Sequence, residues 1–586
     1  MITDQLAAIV RDAVAAAQSA GDLSINGHAF DVTLEPPKQK QFGDFATNVA
    51  LVLQKPSGLQ GREVAARIVK HLPVGEGLID RVEVAGPGFM NFFLKPDWLH
   101  DTLVTVDEQD AAYGSNDSRK GERTLIEFVS ANPTGPISVV NGRAAVLGDS
   151  LANLLRASGA EVSKEFYIND ALNSTQIDKL GESLAMRYLE QLGHAIDFPE
   201  EDGDGKAVYA GTTCALCAKY HPFPEDGYFG LYLVDIATRV VSEAGNSLEN
   251  LTHEERAAKF REIAPSEMIA QQQRDLRAFG VEFDNWFFES SLYKAGKVRA
   301  AIEEMKARGY AYEKDGALWL KTTELSKDEK DRVLVRSTDK ETYIAADAAY
   351  HKDKFDRGYN RLIDIWGADH HGYVERLKAG IAALGNDPDK CEIILTQMVL
   401  LVRNGEPVRG GKRTGNIIPL IELINEVGRD AARFYNVLNS YETTAVFDLD
   451  LAKKQSSDNP VWYAQYAHAR CANVLRKAAE KGVAIVPARQ VKRPLLTHEK
   501  ELDLLRRLAD YPGEVKAAAD LIAPHRLTSY VREIGQTLHQ FYEECPALRE
   551  DVDPDVRDAR LALFNATRIV VRNLLGLLGV TALEQM

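Results

Sequence analysis

The sequence lacks a long uninterrupted run of apolar residues, and this absence excludes one large class of proteins. None of its 586 residues lies in a segment that is apolar over the roughly 20 consecutive positions that a membrane-spanning helix needs. The first turns of the chain also lack the pattern of a signal peptide, because acidic, amide and basic side chains interrupt the alanines and predict an amphipathic helix. We therefore expect a cytoplasmic protein that makes no membrane contact.

Cysteine is scarce, with five residues in the chain. An odd and sparse number in a long chain predicts reduced thiols rather than a disulfide framework. Cys214 and Cys217 form a C-x-x-C pair with His221 four residues further on, a spacing that occurs in zinc sites. A second ligand pair is missing nearby, and short motifs often match by chance, so we expect no metal site.

Net positive charge is absent as well. The formal net charge is −16 at pH 7, which excludes a protein that coats nucleic acid non-specifically. The acidic excess lies before residue 456, and the rest of the chain is close to neutral, which permits basic faces there. The length predicts about three or four domains, since single cores stop growing at roughly 250–300 residues.

What the sequence does contain begins with a predicted βαβ unit between residues 124 and 170. Thr124–Ser130 is a short apolar, β-branched run that predicts a buried strand. A loop with two prolines and a glycine follows, and from Ser138 apolar residues recur at the spacing of an amphipathic helix. Glu161–Ile168 predicts the second strand. The loop therefore opens onto a helix N-terminus at the carboxyl end of a strand, where backbone N–H groups and the helix dipole favour a phosphate.

Later stretches place polar side chains in comparable positions. Leu362–Trp366 predicts another strand, and the loop after it carries Asp369 and His370 at the ligand edge of the sheet. Tyr343 and Asp347 are four residues apart, so a helix would present them on one face.

From residue 452 the pattern becomes helical and predicts an α-helical bundle. Trp462 and Tyr466 lie four residues apart in its first helix. Core packing is the expected role of this pair, and stacking on a nucleic acid base is the alternative.

These stretches resemble the signatures of the arginyl-tRNA synthetases, a family of class I aminoacyl-tRNA synthetases. The first signature is matched by Glu127-Phe128-Val129-Ser130-Ala131-Asn132-Pro133-Thr134-Gly135-Pro136. The family's His-Val-Gly-His is replaced by Ser138-Val139-Val140-Asn141, and the match resumes at Arg143, Gly148-Asp149 and Tyr167-Ile168-Asn169-Asp170. The second signature, usually K-M-S-K-R-x-G-N, aligns with Arg409-Gly410-Gly411-Lys412-Arg413-Thr414-Gly415-Asn416.

The resemblance implies an α/β fold in three parts. Residues 1–108 are expected to form an α+β N-terminal domain that contacts tRNA. Residues 109–455 are expected to form a class I Rossmann-like catalytic domain with insertions, the main one at about 185–300. Residues 456–586 are expected to form a C-terminal α-helical anticodon-binding bundle.

The resemblance also implies the residues of the active site. Arginine is expected to contact Glu127, Ser130, Asn132, Tyr343 and Asp347. ATP is expected to contact Pro133, Thr134, Gly135, Pro136, Ser138, Asn141, Arg143, Asp369, His370 and Lys412. The catalytic residues are expected to be Ser138, Asn141, Lys412 and Arg413. Donors of these kinds can stabilise charge that develops on a triphosphate.

The implied reaction is the ATP-dependent attachment of L-arginine to its tRNA through an arginyl-adenylate. We expect a monomer that uses ATP with Mg²⁺ and holds no tightly bound cofactor. Since the two signature histidines are absent, a catalytically impaired relative that binds tRNA or a protein partner is the alternative. A class I synthetase for another amino acid is a further alternative, although the carboxylates of Glu127 and Asp347 suit a cation better than an apolar side chain.

Overall fold

The computed structural model of the chain describes residues 2–37, 39–170, 175–201, 207–408 and 418–586. Within these ranges no helix is both long enough and apolar enough to cross a membrane. The N-terminal part packs helices on a three-stranded antiparallel sheet of order β1-β3-β2, around its own apolar core. Its elements are α1 (Ile2–Ser19), β1 (Phe45–Thr47), α2 (Val49–Val52), α3 (Gln54–Ser57), α4 (Gly61–Val69), β2 (Ile79–Ala85) and β3 (Phe89–Leu94). Helix α5 (Asp97–Gln109) leads into the middle part.

A five-stranded parallel sheet of order β13-β12-β4-β5-β8 forms the centre of the molecule. Its strands are β4 (Arg123–Glu127), β5 (Glu161–Ile168), β8 (Asn285–Phe288), β12 (Arg361–Gly367) and β13 (Cys391–Thr396). The predicted strand Glu161–Ile168 has the observed bounds. The strand predicted to reach Ser130 ends at Glu127, because Val129 and Ser130 have φ angles of +68° and +40°, which extended backbone does not allow.

The order of the strands fixes where a ligand would bind. From β4 the chain moves to β5 on one side, and it returns to place β12 on the other side of β4. Loops after β4 and β12 therefore diverge, and the crevice between them is the topological switch point at which open α/β sheets bind ligands.

Helix α6 (Val139–Ala157) crosses from β4 to β5 and is buried along most of its length. A Cβ added to Gly148 would lie 2.4 Å from the ring carbon Cγ of Phe128, so only glycine allows the helix this close to the strand end. The next residue, Asp149, is buried and accepts hydrogen bonds from Lys164 Nζ (2.8 Å) and Arg433 (2.6 Å). These contacts explain why glycine and aspartate stand together in this helix.

An inserted segment separates β5 from β8. It contains α7 (Thr175–Gln191), β6 (Glu200–Glu201), β7 (Ala207–Val208), α8 (Tyr232–Ala244) and α9 (His253–Ala278). The three helices enclose an apolar core of their own. The sequence predicts a helix over Gln176–Gln191, and helix α7 confirms it.

The remaining elements of the middle part surround the central sheet. They are α10 (Glu289–Lys294), α11 (Lys297–Ala307), β9 (Ala311–Lys314), β10 (Ala317–Leu320), α12 (Thr322–Leu325), β11 (Arg332–Val335), α13 (Tyr343–Asp356), α14 (Val374–Ala383), β14 (Val399–Arg403), β15 (Glu406–Pro407), α15 (Leu420–Val427), α16 (Arg429–Asn436), β16 (Ala445–Asp448) and α17 (Leu449–Ala452). Strands β9 to β11 form one small sheet, and β14 to β16 form another.

The C-terminal part is the predicted helical bundle. Its helices are α18 (Pro460–Glu480), α19 (Glu499–Asp520), α20 (His525–Glu544) and α21 (Pro554–Leu577). Trp462 and Tyr466 stack with ring centroids 4.7 Å apart, and both are half-buried. The apolar core of the bundle is continuous with that of the central sheet, since one cluster of buried side chains extends through both.

We predict that Gly148→Ala destabilises the chain by about 1–3 kcal/mol, the usual cost of overpacking a filled core. Gly576→Ala is the matched control, because Gly576 also lies inside a helix but has no atom within 4 Å of an added Cβ. Thermal unfolding of the two variants measures the difference. Equal melting temperatures for both would show that helix α6 does not need the close contact with Phe128.

Candidate active site

The loop after β4 is held from the side of the inserted segment. Tyr232 donates its hydroxyl to the carbonyl of Thr134 (3.1 Å), and Gln272 Nε2 donates to the carbonyls of Asn132 (3.1 Å) and Gly135 (2.8 Å). Gln272 is fully buried, so its amide is committed to this loop. Nothing in the sequence around Gln272 indicates this role, which depends on the packing of α9.

The candidate ATP residues of this loop differ in exposure. Pro133 is buried, and Thr134, Gly135 and Pro136 are half-buried. Asn132, a candidate for arginine, is exposed and donates Nδ2 to Gln176 Oε1 at 3.0 Å. The structure thus keeps these residues together at the switch point.

Ser138 and Asn141 form the N-terminal cap of helix α6. The Ser138 hydroxyl and its backbone N–H donate to Asn141 Oδ1 at 2.7 and 3.2 Å, and the Asn141 N–H lies 3.4 Å from Ser138 Oγ. Both side chains were expected to donate to phosphate. The Ser138 hydroxyl proton is already donated to Asn141, and this hydrogen bond competes with one to phosphate. The N–H of Val139 is also taken, by the carbonyl of Ile418 at 3.1 Å.

The residues that follow the second signature lie beside the start of this helix. Lys412 and Arg413 lie outside the described residues. Two residues beyond the second signature contact the start of helix α6: the carbonyl of Ile418 accepts from Val139, and Leu420 N–H donates to the carbonyl of Ile137 at 2.7 Å. The segment from Ile418 is therefore paired with the residues that begin helix α6.

Arg143 has a different position from the one expected for an ATP ligand. Its guanidinium donates to the carbonyls of Gln397 (2.9 Å), Ser440 (2.7 Å) and Thr443 (2.7 Å), and the residue is 2% exposed. These contacts do not support the assignment of Arg143 to ATP. They fasten helix α6 to the turns that flank β14 and β16.

Glu127 is occupied within the protein as well. One carboxylate oxygen accepts from Ser130 Oγ (2.9 Å) and the other from Lys354 Nζ (2.6 Å). Lys354 is fully buried and also pairs with Asp364 at 2.9 Å. Ser130 Oγ further accepts the N–H of Tyr167 at 3.1 Å. The prediction that Glu127 faces the guanidinium overlooked this buried lysine, which balances its charge.

Asp347 lies near enough to repel an acid that the sequence reading missed, Glu289. Asp347 accepts a 2.5 Å hydrogen bond from the hydroxyl of Tyr373 and is half-buried. Glu289 is buried, and its Oε2 has no hydrogen-bond partner among the described residues. Glu289 directly follows the edge strand β8, and Glu127 is the last residue of β4, so the rule that a strand-end acid reaches the ligand edge would have found Glu289 as well.

The pKa values of Glu289 and Asp347 are both raised. Burial, with repulsion from Asp347 and Asp170, raises the pKa of Glu289 to about 7, although a hydrogen bond with Tyr167 opposes the shift. Burial also raises the pKa of Asp347, against the hydrogen bond from Tyr373. The two carboxyl groups therefore repel each other in a site that is partly shielded from water. A bound cation would reduce this repulsion.

Three other candidates lie at the surface of the same region. Tyr343 begins helix α13, one turn before Asp347, and is 70% exposed. Asp369 and His370 lie on the turn after β12 and are exposed. They stand on the opposite side of the switch point from the signature loop.

Among the described residues, two groups of side chains have ligand atoms close enough to hold a metal ion. One joins His351, Asp364 and Cys391, but there Asp364 already pairs with the buried Lys354. The other joins His194 to the C-x-x-C segment. The sequence analysis found no second ligand pair beside the C-x-x-C motif, and the structure brings His194 from a separate part of the chain to join Cys214, Cys217 and His221.

Residues 103–474 match a family model described as tRNA synthetases class I (R), catalytic domain, which agrees with the parallel sheet and its switch-point loop. Residues 4–94 match the arginyl tRNA synthetase N terminal domain, and residues 464–586 match the DALR anticodon binding domain. The predicted fold class is thereby confirmed.

Two relatives and one solved structure extend the match over the whole chain. The arginine–tRNA ligase of Moorella thermoacetica is 45% identical over 582 residues, which cover 99% of this chain and 98% of the relative. That of Heliobacterium modesticaldum is 44% identical over 589 residues, covering 100% and 99%. The arginyl-tRNA synthetase structure from Thermus thermophilus has a TM-score of 0.73 at 19% identity, covers both chains fully, and shows the same fold. The chain belongs to the arginyl-tRNA synthetase family, and the predicted arginine–tRNA ligase activity is confirmed rather than the impaired alternative.

We predict that Arg143→Lys destabilises the enzyme by about 1–3 kcal/mol, because an ammonium group cannot reach all three carbonyls and leaves buried acceptors unpaired. Arg156→Lys, in the exposed last turn of the same helix, serves as the control. Denaturant unfolding compares the variants. An Arg143→Lys variant as stable as the parent, with a raised Michaelis constant for ATP, would restore Arg143 to the ATP site.

Proposed function

We propose that Asp347 and Glu289 bind the guanidinium group of L-arginine in this ligase. The observation that supports the proposal is the pair itself. Buried Glu289 and half-buried Asp347 both have raised pKa values, repulsion from Asp347 contributes to that of Glu289, and Glu289 Oε2 lacks a hydrogen-bond partner among the described residues. A guanidinium presents a planar fork of donors that suits two carboxylates. Tyr343 at the rim can cover the bound side chain, and Glu127 acts indirectly by balancing Lys354.

The other end of arginine is assigned to Ser130 and Asn132, which would hold the α-amino and carboxylate groups. ATP with Mg²⁺ is assigned to Pro133–Pro136, the start of helix α6, Asp369 and His370, with Lys412 and Arg413 over the triphosphate. An oxygen of the arginine carboxylate attacks the α-phosphorus, the bond to the β,γ-pyrophosphate breaks, and pyrophosphate leaves. The protein aligns the reactants and neutralises charge without a nucleophile of its own.

The second step transfers the arginyl group to tRNA. A ribose hydroxyl at the 3′ end of the tRNA attacks the adenylate carbonyl, and AMP leaves with the bonding electrons. The N-terminal domain and the C-terminal bundle are proposed to contact the tRNA for arginine, with domain boundaries near residues 108 and 455. We further propose a monomer that works in the cytoplasm, where its five free cysteines would stay reduced. Charging of tRNA with arginine, tested against a panel of amino acids, examines the whole scheme.

We predict that Asp347→Asn raises the Michaelis constant for arginine about tenfold to a hundredfold, because a hydrogen bond to a charged group is worth about 1.5–3 kcal/mol. The constant for ATP should change little. Asp356→Asn, at the exposed end of the same helix, is the matched control. ATP–pyrophosphate exchange with tRNA present measures both constants, and equal effects on arginine and ATP would remove Asp347 from the pocket.

We predict that arginine binds up to about tenfold more tightly at about pH 8 than at about pH 6. Glu289 has a folded pKa of about 7, above its ordinary value, so it is protonated below that pH and attracts a cation only above it. Glu289→Gln should weaken binding and reduce this pH dependence. Calorimetric titration with arginine at the two pH values gives both quantities, and a variant with the parent's pH profile would exclude Glu289.

A further inference from the structure

The inserted segment contains a compact site that the reaction does not use. Between helices α7 and α8, the described residues form little regular structure beyond the two-residue strands β6 and β7. Cys214 and Cys217 lie on a turn closed by a bridge between Thr213 and Tyr220, and by a hydrogen bond from Cys214 N–H to the carbonyl of Lys219 at 2.9 Å. A segment with so little regular structure is of the kind that proteins often fasten with a metal ion.

Two histidines complete the group. His221 follows the turn, and its Nε2 lies 3.1 Å from Cys217 Sγ. His194 comes from the turn after α7, and its Nδ1 lies 3.6 Å from Cys214 Sγ. One ligand atom from each of these residues lies within 4.8 Å of every other, and Cys214, His194 and His221 are buried.

These separations agree with a tetrahedral centre. Zinc binds sulfur at about 2.3 Å and histidine nitrogen at about 2.0–2.1 Å, which puts neighbouring ligands of a tetrahedron roughly 3.3–3.8 Å apart. The two observed sulfur–nitrogen distances, 3.1 and 3.6 Å, lie close to that range. Two thiolates with two neutral imidazoles would balance the charge of one divalent cation.

Neighbouring groups already hold the ligands in suitable directions. Glu249 accepts from His194 Nε2 at 3.0 Å, which turns Nδ1 toward the cysteines. A carboxylate on the remote nitrogen is the usual support of a metal-bound histidine. The backbone N–H groups of Ala195, Leu216 and Cys217 donate to Cys214 Sγ, as they would to a thiolate.

We propose that His194, Cys214, Cys217 and His221 bind one Zn²⁺ ion. Four protein ligands fill a tetrahedral shell, so the ion is structural and has no open position for chemistry. It would fasten the turn of Cys214 and Cys217 to the end of α7. The same helical unit supplies Gln272 and Tyr232 to the signature loop, so the metal supports that loop from a distance.

The first experiment measures zinc in the purified full-length chain by plasma mass spectrometry after exhaustive dialysis. We expect about one zinc per chain, as for a Cys₂His₂ site. The double variant Cys214→Ser/Cys217→Ser should fall to the blank, and Cys471→Ala/Cys545→Ala, which removes two thiols elsewhere, should keep the metal. A parent chain without zinc, or a Cys214→Ser/Cys217→Ser variant that retains it, would overturn the proposal.

The second experiment starts from the parent chain, so its cobalt spectra do not depend on the folding of a variant. Cobalt(II) added to metal-stripped parent protein should give the visible d–d bands of a tetrahedral ion and a thiolate-to-cobalt charge-transfer band. Glu249→Gln should keep both spectra and weaken zinc about tenfold to a hundredfold in competition with a chelator, as expected when the support of a ligand histidine is removed. Octahedral cobalt spectra, or a disulfide between Cys214 and Cys217 in the freshly purified parent under anaerobic conditions, would contradict a zinc site.

Discussion

A fully buried lysine joins the two strands between which the active site opens. Lys354 pairs with Glu127 on β4 and with Asp364 on β12, and His351 Nε2 lies 2.6 Å from Asp364. Burial opposes the charged form of each group, but attraction from the carboxylates raises the pKa of Lys354, and attraction from Lys354 and His351 lowers the pKa of Asp364, so both remain charged. Such a cluster is stable only with every partner present, and loss of one costs about 3–5 kcal/mol. Because Lys354 lies on helix α13, the same pairs fix the position of Asp347.

The support of the site comes from all sides of the sheet. The inserted segment holds the signature loop through Gln272, and Arg143 fastens helix α6 to the turns around β14 and β16. The bundle shares its apolar core with the sheet. The proposed domain boundary near residue 455 therefore marks a change in sequence pattern and not a gap between two apolar cores. Removal of the bundle would expose part of the central core to water.

Local patterns were sufficient for many of the regular elements, since they predicted β5, α7 and the bundle. The strand-end rule predicted that Asp369 and His370 lie at the ligand edge of the sheet, and the family resemblance implied Glu127. Local patterns do not reveal which residues pair across long distances in the chain. Lys354 could not be matched to Glu127, nor Arg143 to three carbonyls, because those partners lie far apart in the chain. His194 was not predicted as a metal ligand for the same reason, because it lies near Cys214 only after the inserted segment has folded.

The hydrogen bonds of Arg433 affect when the core around helix α6 can form during protein synthesis. This buried guanidinium holds Asp149 of helix α6, the carbonyls of Phe279 and Gly280, and the carbonyl of Leu578 just after the last helix. During synthesis Leu578 leaves the ribosome long after helix α6. The hydrogen bonds that join helix α6 to Arg433 and Leu578 therefore cannot all form until the segment after α21 has been synthesised. Until then, the core beneath the active site remains incomplete.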